Sequence, residues 1–243
     1  MNEVFRRRRR AEEETAPVVA EVEERPAAPT RTSGPWDAQE SYPEAERVDL
    51  GGLLLPVGPR FEIQLSVTGD HIDGAIVLVE ESALRVQALA APKRSGIWDE
   101  VRTEIAREVT AAGGIVQEQE GPFGAELAAR VPPAPGETPQ PVRYLGVDGP
   151  RWLLRAVISG RAALDTTAAE ILENVVRDIV VVRGDEPMPP RETIHLRLPA
   201  EARQAMEQQA MEQQAMEQQA MEQQAGAQEF RPFERGPEIT ETR

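Results

Sequence analysis

Nearly all the apolar periodicity of this chain lies between residues 47 and 198, and that confinement decides how many folded bodies its 243 residues can make. A single core usually needs roughly 100–200 residues, so the middle stretch suffices for one domain. Residues 1–46 hold seven basic and eleven acidic side chains, many prolines, and few apolar anchors beyond Val4, Phe5, Trp36 and Tyr42. Such a composition buries too little surface to offset a backbone ordering cost of roughly 1–2 kcal/mol per residue. The expected organisation is a disordered arm over 1–46, a globular domain over 47–198, and a helical repeat with a disordered tail over 199–243.

Within the domain, Phe61, Ile63, Leu65 and Val67 alternate with Glu62, Gln64 and Ser66, the period of a half-buried strand. Thr68-Gly69-Asp70 marks a turn, and stretches 72–79 and 84–90 continue as an antiparallel meander, with 53–57 as an edge strand. Ile97, Trp98, Val101, Ile105 and Val109 share one face of a helix that Ser95-Gly96 opens and Gly113-Gly114 closes. Stretches 115–120 and 125–131 flank Gly121-Pro122-Phe123-Gly124 as a hairpin, and 142–147 and 151–158 form another. Pro150 has no N–H to close a tight turn from Val147, so a four-residue loop is expected there. That register sets Leu145 opposite Trp152 and puts Arg151 beside Arg155. A second helix starts near Asp165, with Thr167 and Glu170 as a capping box and Ile171, Val175 and Ile179 on one face; 180–182 is extended. Strands and helices that do not alternate regularly predict an α+β fold, an antiparallel sheet of about seven strands covered by two main helices.

Composition removes several classes of function. Without cysteine there is no disulfide scaffold and no thiolate metal site. No run approaches the roughly 18 apolar residues that span a bilayer, and no apolar run follows the basic start as a secretory signal requires. These features point to a cytoplasmic protein. The lysine-bearing phosphate loop, the G-x-S-x-G elbow and the H-E-x-x-H zinc motif are all missing. His71 and His195 cannot by spacing hold a metal on one element, so no catalytic residue, metal or cofactor is assigned.

What remains is binding. A formal net charge of −15 repels polyanions. Arg6, Arg7, Arg8, Arg9 and Arg10 are the candidate polyanion contact, each worth about 1 kcal/mol near an anionic membrane, but Glu12, Glu13 and Glu14 compete for them. Specific nucleic-acid recognition is not expected. Trp36, in a Pro-rich arm, is the candidate docking residue, onto the core or onto a partner. Arg143, Arg151, Arg155 and Arg183, with Asp148 and Asp185 on adjoining turns, form the candidate binding face. In the tail, Ala-Met-Glu-Gln-Gln recurs from Ala205, Ala210, Ala215 and Ala220. Five helical residues turn about 500°, so Met206, Met211, Met216 and Met221 spread round the rod and make no coiled-coil stripe.

Five motifs carry a family resemblance: Ser33-Gly34-Pro35-Trp36-Asp37, Gly96-Ile97-Trp98-Asp99-Glu100-Val101, Gly121-Pro122-Phe123-Gly124, Arg143-Tyr144-Leu145-Gly146-Val147-Asp148-Gly149-Pro150-Arg151-Trp152, and Val182-Arg183-Gly184-Asp185-Glu186-Pro187-Met188. Across most of residues 33–198 the chain resembles an uncharacterised actinobacterial family known only as a domain of unknown function. That resemblance implies no activity and brings no catalytic residue. In element order the chain is also similar to the PsbP-like α+β sandwich, which implies a binding module.

The expectation is a non-enzymatic cytoplasmic interaction or adaptor domain with a protein partner. One alternative is a small anionic-ligand-binding protein or enzyme with a pocket near Arg143, Arg151 and Arg183; another is peripheral membrane association through the arginine run. A deep apolar pocket with converging charges favours the ligand-binding alternative. A flat, apolar-centred patch favours the adaptor.

Overall fold

The computed structural model of the chain describes residues 32–94, 96–134, 137–199, 202–205, 208, 211, 212 and 216. The chain divides into two units, Met1–Thr32 and Ser33–Arg243, and the fold is that of the second. The arginine run and the disorder expected for the first 31 residues and most of the tail lie outside the described residues. No helix among the described residues is long and apolar enough to cross a membrane.

The elements follow the order β1 (Trp36–Asp37), β2 (Arg47–Asp49), β3 (Leu53–Pro56), β4 (Glu62–Thr68), β5 (His71–Val79), β6 (Ser82–Ala90), α1 (Trp98–Ala111), β7 (Ile115–Gly121), β8 (Gly124–Val131), β9 (Gln140–Gly149), β10 (Trp152–Gly160), α2 (Thr166–Asp178) and β11 (Val180–Val181). Seven strands form an antiparallel sheet in the order β4-β5-β6-β10-β9-β8-β7; a smaller sheet runs β1-β11-β3-β2. The fold is α+β, as the irregular alternation of elements predicts.

Side-chain alternation divides the large sheet into two faces. Leu84, Val86 and Ala88 on β6 and Trp152, Leu154, Ala156 and Ile158 on β10 point to one face, where Leu172, Val175 and Val176 of α2 and Leu53 and Leu55 of β3 close the main core. Leu127, Ala129 and Leu153 point the other way and meet Trp98, Val101, Ile105 and Val109 of α1. Strands apolar on both sides must be covered on both sides, which is why β6 and β10 are central.

Four expectations are corrected. Residues 33–46, placed in the arm by composition, contribute β1: Trp36 pairs in parallel with Val180 and is only 8% exposed. Strand 53–57 is not an edge; β3 lies between β11 and β2. The β9–β10 loop has two residues: Gly149 pairs with Trp152, and Leu145 faces Ala156. Pro150 occupies the first loop position, where its fixed φ suits the turn and no N–H is needed, and Arg151 takes φ +65° at the second. Gly149 is required because a Cβ there would lie 2.1 Å from the Trp152 indole. Finally, α2 is capped by Asp165, whose carboxylate accepts from the Thr167 and Ala168 N–H groups.

Candidate ligand-binding groove

Beyond α2 the chain returns across the strand ends. Ile194 N–H donates to Ala88 O and Leu196 N–H to Ile72 O, each at 2.8 Å, and Arg197 N–H donates to Leu50 O at 2.7 Å. The returning segment is therefore stitched to the large sheet and to the β2–β3 turn together. Gly51 suits the turn beside it: its φ is +78°, a backbone conformation that L side chains rarely adopt.

This stitching encloses an apolar cavity of about 430 Å³ lined by Val48, Leu50, Phe61, Ile63, Leu65 and Leu198, together with Val57, Gly58, Pro199 and Ala202. A second cavity of about 430 Å³ shares Val48, Leu198 and Pro199 with the first and adds Arg47, Asp49, Arg197 and Arg203. The two make one groove, apolar at one end and basic at the other. Arg47 is held by oxygens that do not neutralise it: Nε donates to Asp178 O at 2.9 Å and Nη1 to Pro43 O at 3.0 Å. Its guanidinium carbon lies 5.3 Å from the Tyr42 ring centre, and Nη2 is buried without a hydrogen-bond partner among the described residues. Among the described residues no ion pair involves Arg47, Arg197 or Arg203. Asp49, the one carboxylate lining this end among the described residues, accepts the Gly51 N–H at 2.7 Å. Three guanidinium groups beside an apolar cavity can hold an anion that carries an apolar body.

The residues singled out by sequence are distributed over several places. Arg183 and Asp185 line a third cavity of about 590 Å³, which shares Gly51 and Arg197 with the basic end and also holds Glu186, Glu192 and His195. Arg183 Nη1 donates to Glu186 O at 3.0 Å, while Nε is buried without a partner. Burial, and after it the neighbouring Arg151, weakens the hold of Arg183 on its proton. Arg151 is close enough to act on the charge of Arg183, whereas Arg143 has its partners elsewhere. Arg143 is buried on the α2 face, with Nε and Nη2 donating to Glu126 at 2.9 and 3.0 Å and Nη2 also to Glu173 at 3.0 Å. Burial opposes its charge, yet the two carboxylates outweigh burial and raise its pKa. Asp148 accepts the Ile97 and Trp98 N–H groups at 2.8 and 3.2 Å and so caps α1. Arg155 sits on the opposite sheet face, its Nη2 bonded to Gln87 Oε1. Trp36 docks on its own domain through β1.

Two features escaped the sequence reading. Arg47 and Arg197 each stand beside apolar residues at a strand-like boundary, a signal that alternation alone carries but does not rank. His71 and His195 meet with ring centres 4.6 Å apart, although they lie far apart in sequence. No group of three metal-ligating side chains occurs among the described residues.

Residues 34–205 match the protein family described as "Protein of unknown function (DUF3710)". No curated protein matches the chain. The matched span includes Arg47, Arg197 and Arg203.

Proposed function

The chain belongs to this family of proteins of unknown function, so its role has to be read from its own groove, and we propose that it binds small amphiphilic anions, a linear aliphatic carboxylate being the simplest. The observation that carries the reading is the apolar cavity opening onto Arg47, Arg197 and Arg203, none of them in an ion pair among the described residues. This is the ligand-binding alternative drawn from the sequence, with Arg47, Arg197 and Arg203 in place of Arg143, Arg151 and Arg183.

The two ends of the groove contribute separately. Each buried methylene adds about 0.8 kcal/mol, or roughly fourfold in affinity. Hydrogen bonds to a charged group add about 1.5–3 kcal/mol, roughly ten- to a hundredfold. Calorimetric titration of the full chain with hexanoate, octanoate, decanoate and decanol separates them. Affinity is expected to rise about fifteenfold for every two carbons, and decanol is expected to bind at least about tenfold more weakly than decanoate. Affinity that ignores both chain length and charge overturns the proposal.

A further inference from the structure

The large sheet has one face that its helices cover unevenly. α1 packs chiefly on β7, β8 and β9 and reaches only Leu153 of β10 and Leu89 of β6; among the described residues no helix packs on the rest of that face across β10, β6, β5 and β4. Strand register fixes what stands there. Tyr144, Val157, Arg85, Ile76 and Gln64 form one row across five strands, and Arg155 lies directly across from Gln87 in the next. Ile76, Leu78 and Val157 are half-buried and belong to neither core.

A polar chain runs through this apolar surface and is unfinished at both ends. The β-bulge at Ser66/Val67 swings Asp73 onto the face. There its Oδ2 accepts from Arg85 Nη2 at 3.0 Å, Gln87 Nε2 at 2.9 Å and Thr68 Oγ1 at 3.1 Å. Gln87 in turn accepts from Arg155. Asp73 Oδ1 and Arg155 Nε are buried and have no hydrogen-bond partner among the described residues. Arg155 has no carboxylate within 4 Å among the described residues, while Arg85 already has Asp73. Burial, and after it the charge of Arg85, loosens the proton of Arg155; Glu108, Tyr144 and Asp73 act the other way. Buried polar groups are normally satisfied, so a half-buried cation set among aliphatic side chains lacks one counter-charge.

We propose that this uncovered half of the sheet receives an acidic-aliphatic segment of a protein partner, whose Asp or Glu side chain pairs with Arg155. The surface spans four strands and sets the aliphatic Ile76, Leu78 and Val157 beside the cations Arg85 and Arg155, which complements a segment that carries both aliphatic and acidic side chains. It is separate from the groove: Ile63 and Leu65, which line the groove, point to the opposite face of β4.

The test is selection of a phage-displayed random-peptide library on the full chain. Enriched peptides are expected to place Asp or Glu beside Leu, Ile or Val. Arg155→Gln is expected to weaken them on the order of thirtyfold while decanoate titration is unchanged, so a failure here is distinguishable from failure of the groove reading. Should Arg155→Gln not fold, Ile76→Asp on the same face is expected to abolish binding. No enrichment, enrichment without acidic residues, or binding indifferent to these substitutions overturns the proposal.

Discussion

Arg143 and Arg47 are both held by oxygen atoms, and the kind of oxygen separates their roles. Arg143 faces the carboxylates of Glu126 and Glu173 and completes a buried ion triad; Arg47 faces the main-chain carbonyls of Asp178 and Pro43, which carry no counter-charge. Removing one member of a buried pair strands the others, so Arg143→Ala should lose about 3–5 kcal/mol in chemical denaturation. A loss below about 1 kcal/mol, the size of a surface pair, contradicts this assignment. Asp165 gives a prediction in pH. The Ala168 and Thr167 N–H groups, with Arg161, hold its carboxyl below the ordinary value. A depressed folded pKa means that the contribution is complete above the unfolded value and lost as pH falls through the folded one. The gap in thermal midpoint between wild type and Asp165→Ala should therefore be full at neutral pH and close below about pH 4. A constant gap down to pH 2 contradicts the cap.

At the scale of elements, β1 is two residues long, yet it ties the N-terminal side of the fold to the centre. Its Asp37 Oδ2 accepts the Trp152 indole N–H at 2.6 Å, and Trp152 is fully buried. Deleting β1 leaves that donor without its acceptor, at a cost of about 1–3 kcal/mol. A chain beginning at Arg47 should thus melt below one beginning at Ser33 in calorimetry; equal midpoints would return residues 33–46 to the status of an arm. β4, β5, α1 and α2 were legible in the sequence because their apolar spacing is local and spans seven or more residues. β1 was not, because its partner β11 lies at the far end of the domain and two residues have no period. The β9–β10 register was misjudged through Pro150: the missing N–H matters at the closing position of a turn and not at its first inner position. The groove was illegible for a related reason. Arg47 and Arg197 come together only when the 194–197 segment crosses both sheets, whereas Arg151 and Arg183 drew notice through their Gly-Asp turns.

The whole molecule carries a net charge of −15 and still places at one end of an apolar groove three guanidinium groups that have no ion pair among the described residues. A ligand that binds only the folded chain stabilises it by mass action, about 2.7 kcal/mol at a hundred times its dissociation constant. Decanoate at that concentration should raise the thermal midpoint by roughly 5–11 °C in a chain of this size; an unchanged midpoint contradicts binding to the native state. The sheet face and the groove lie on opposite sides of β4, so one body has room for a small anion and a protein segment together.

The most direct test of the groove is methyl-resolved NMR of the full chain titrated with decanoate. The signals of Val48, Leu50, Ile63, Leu65 and Leu198 should shift together and saturate, while those of Ile105, Val109 and Leu127 beneath α1 stay fixed. Shifts centred on the α1 core, or none at saturating decanoate, would contradict the assignment of the groove as the binding site.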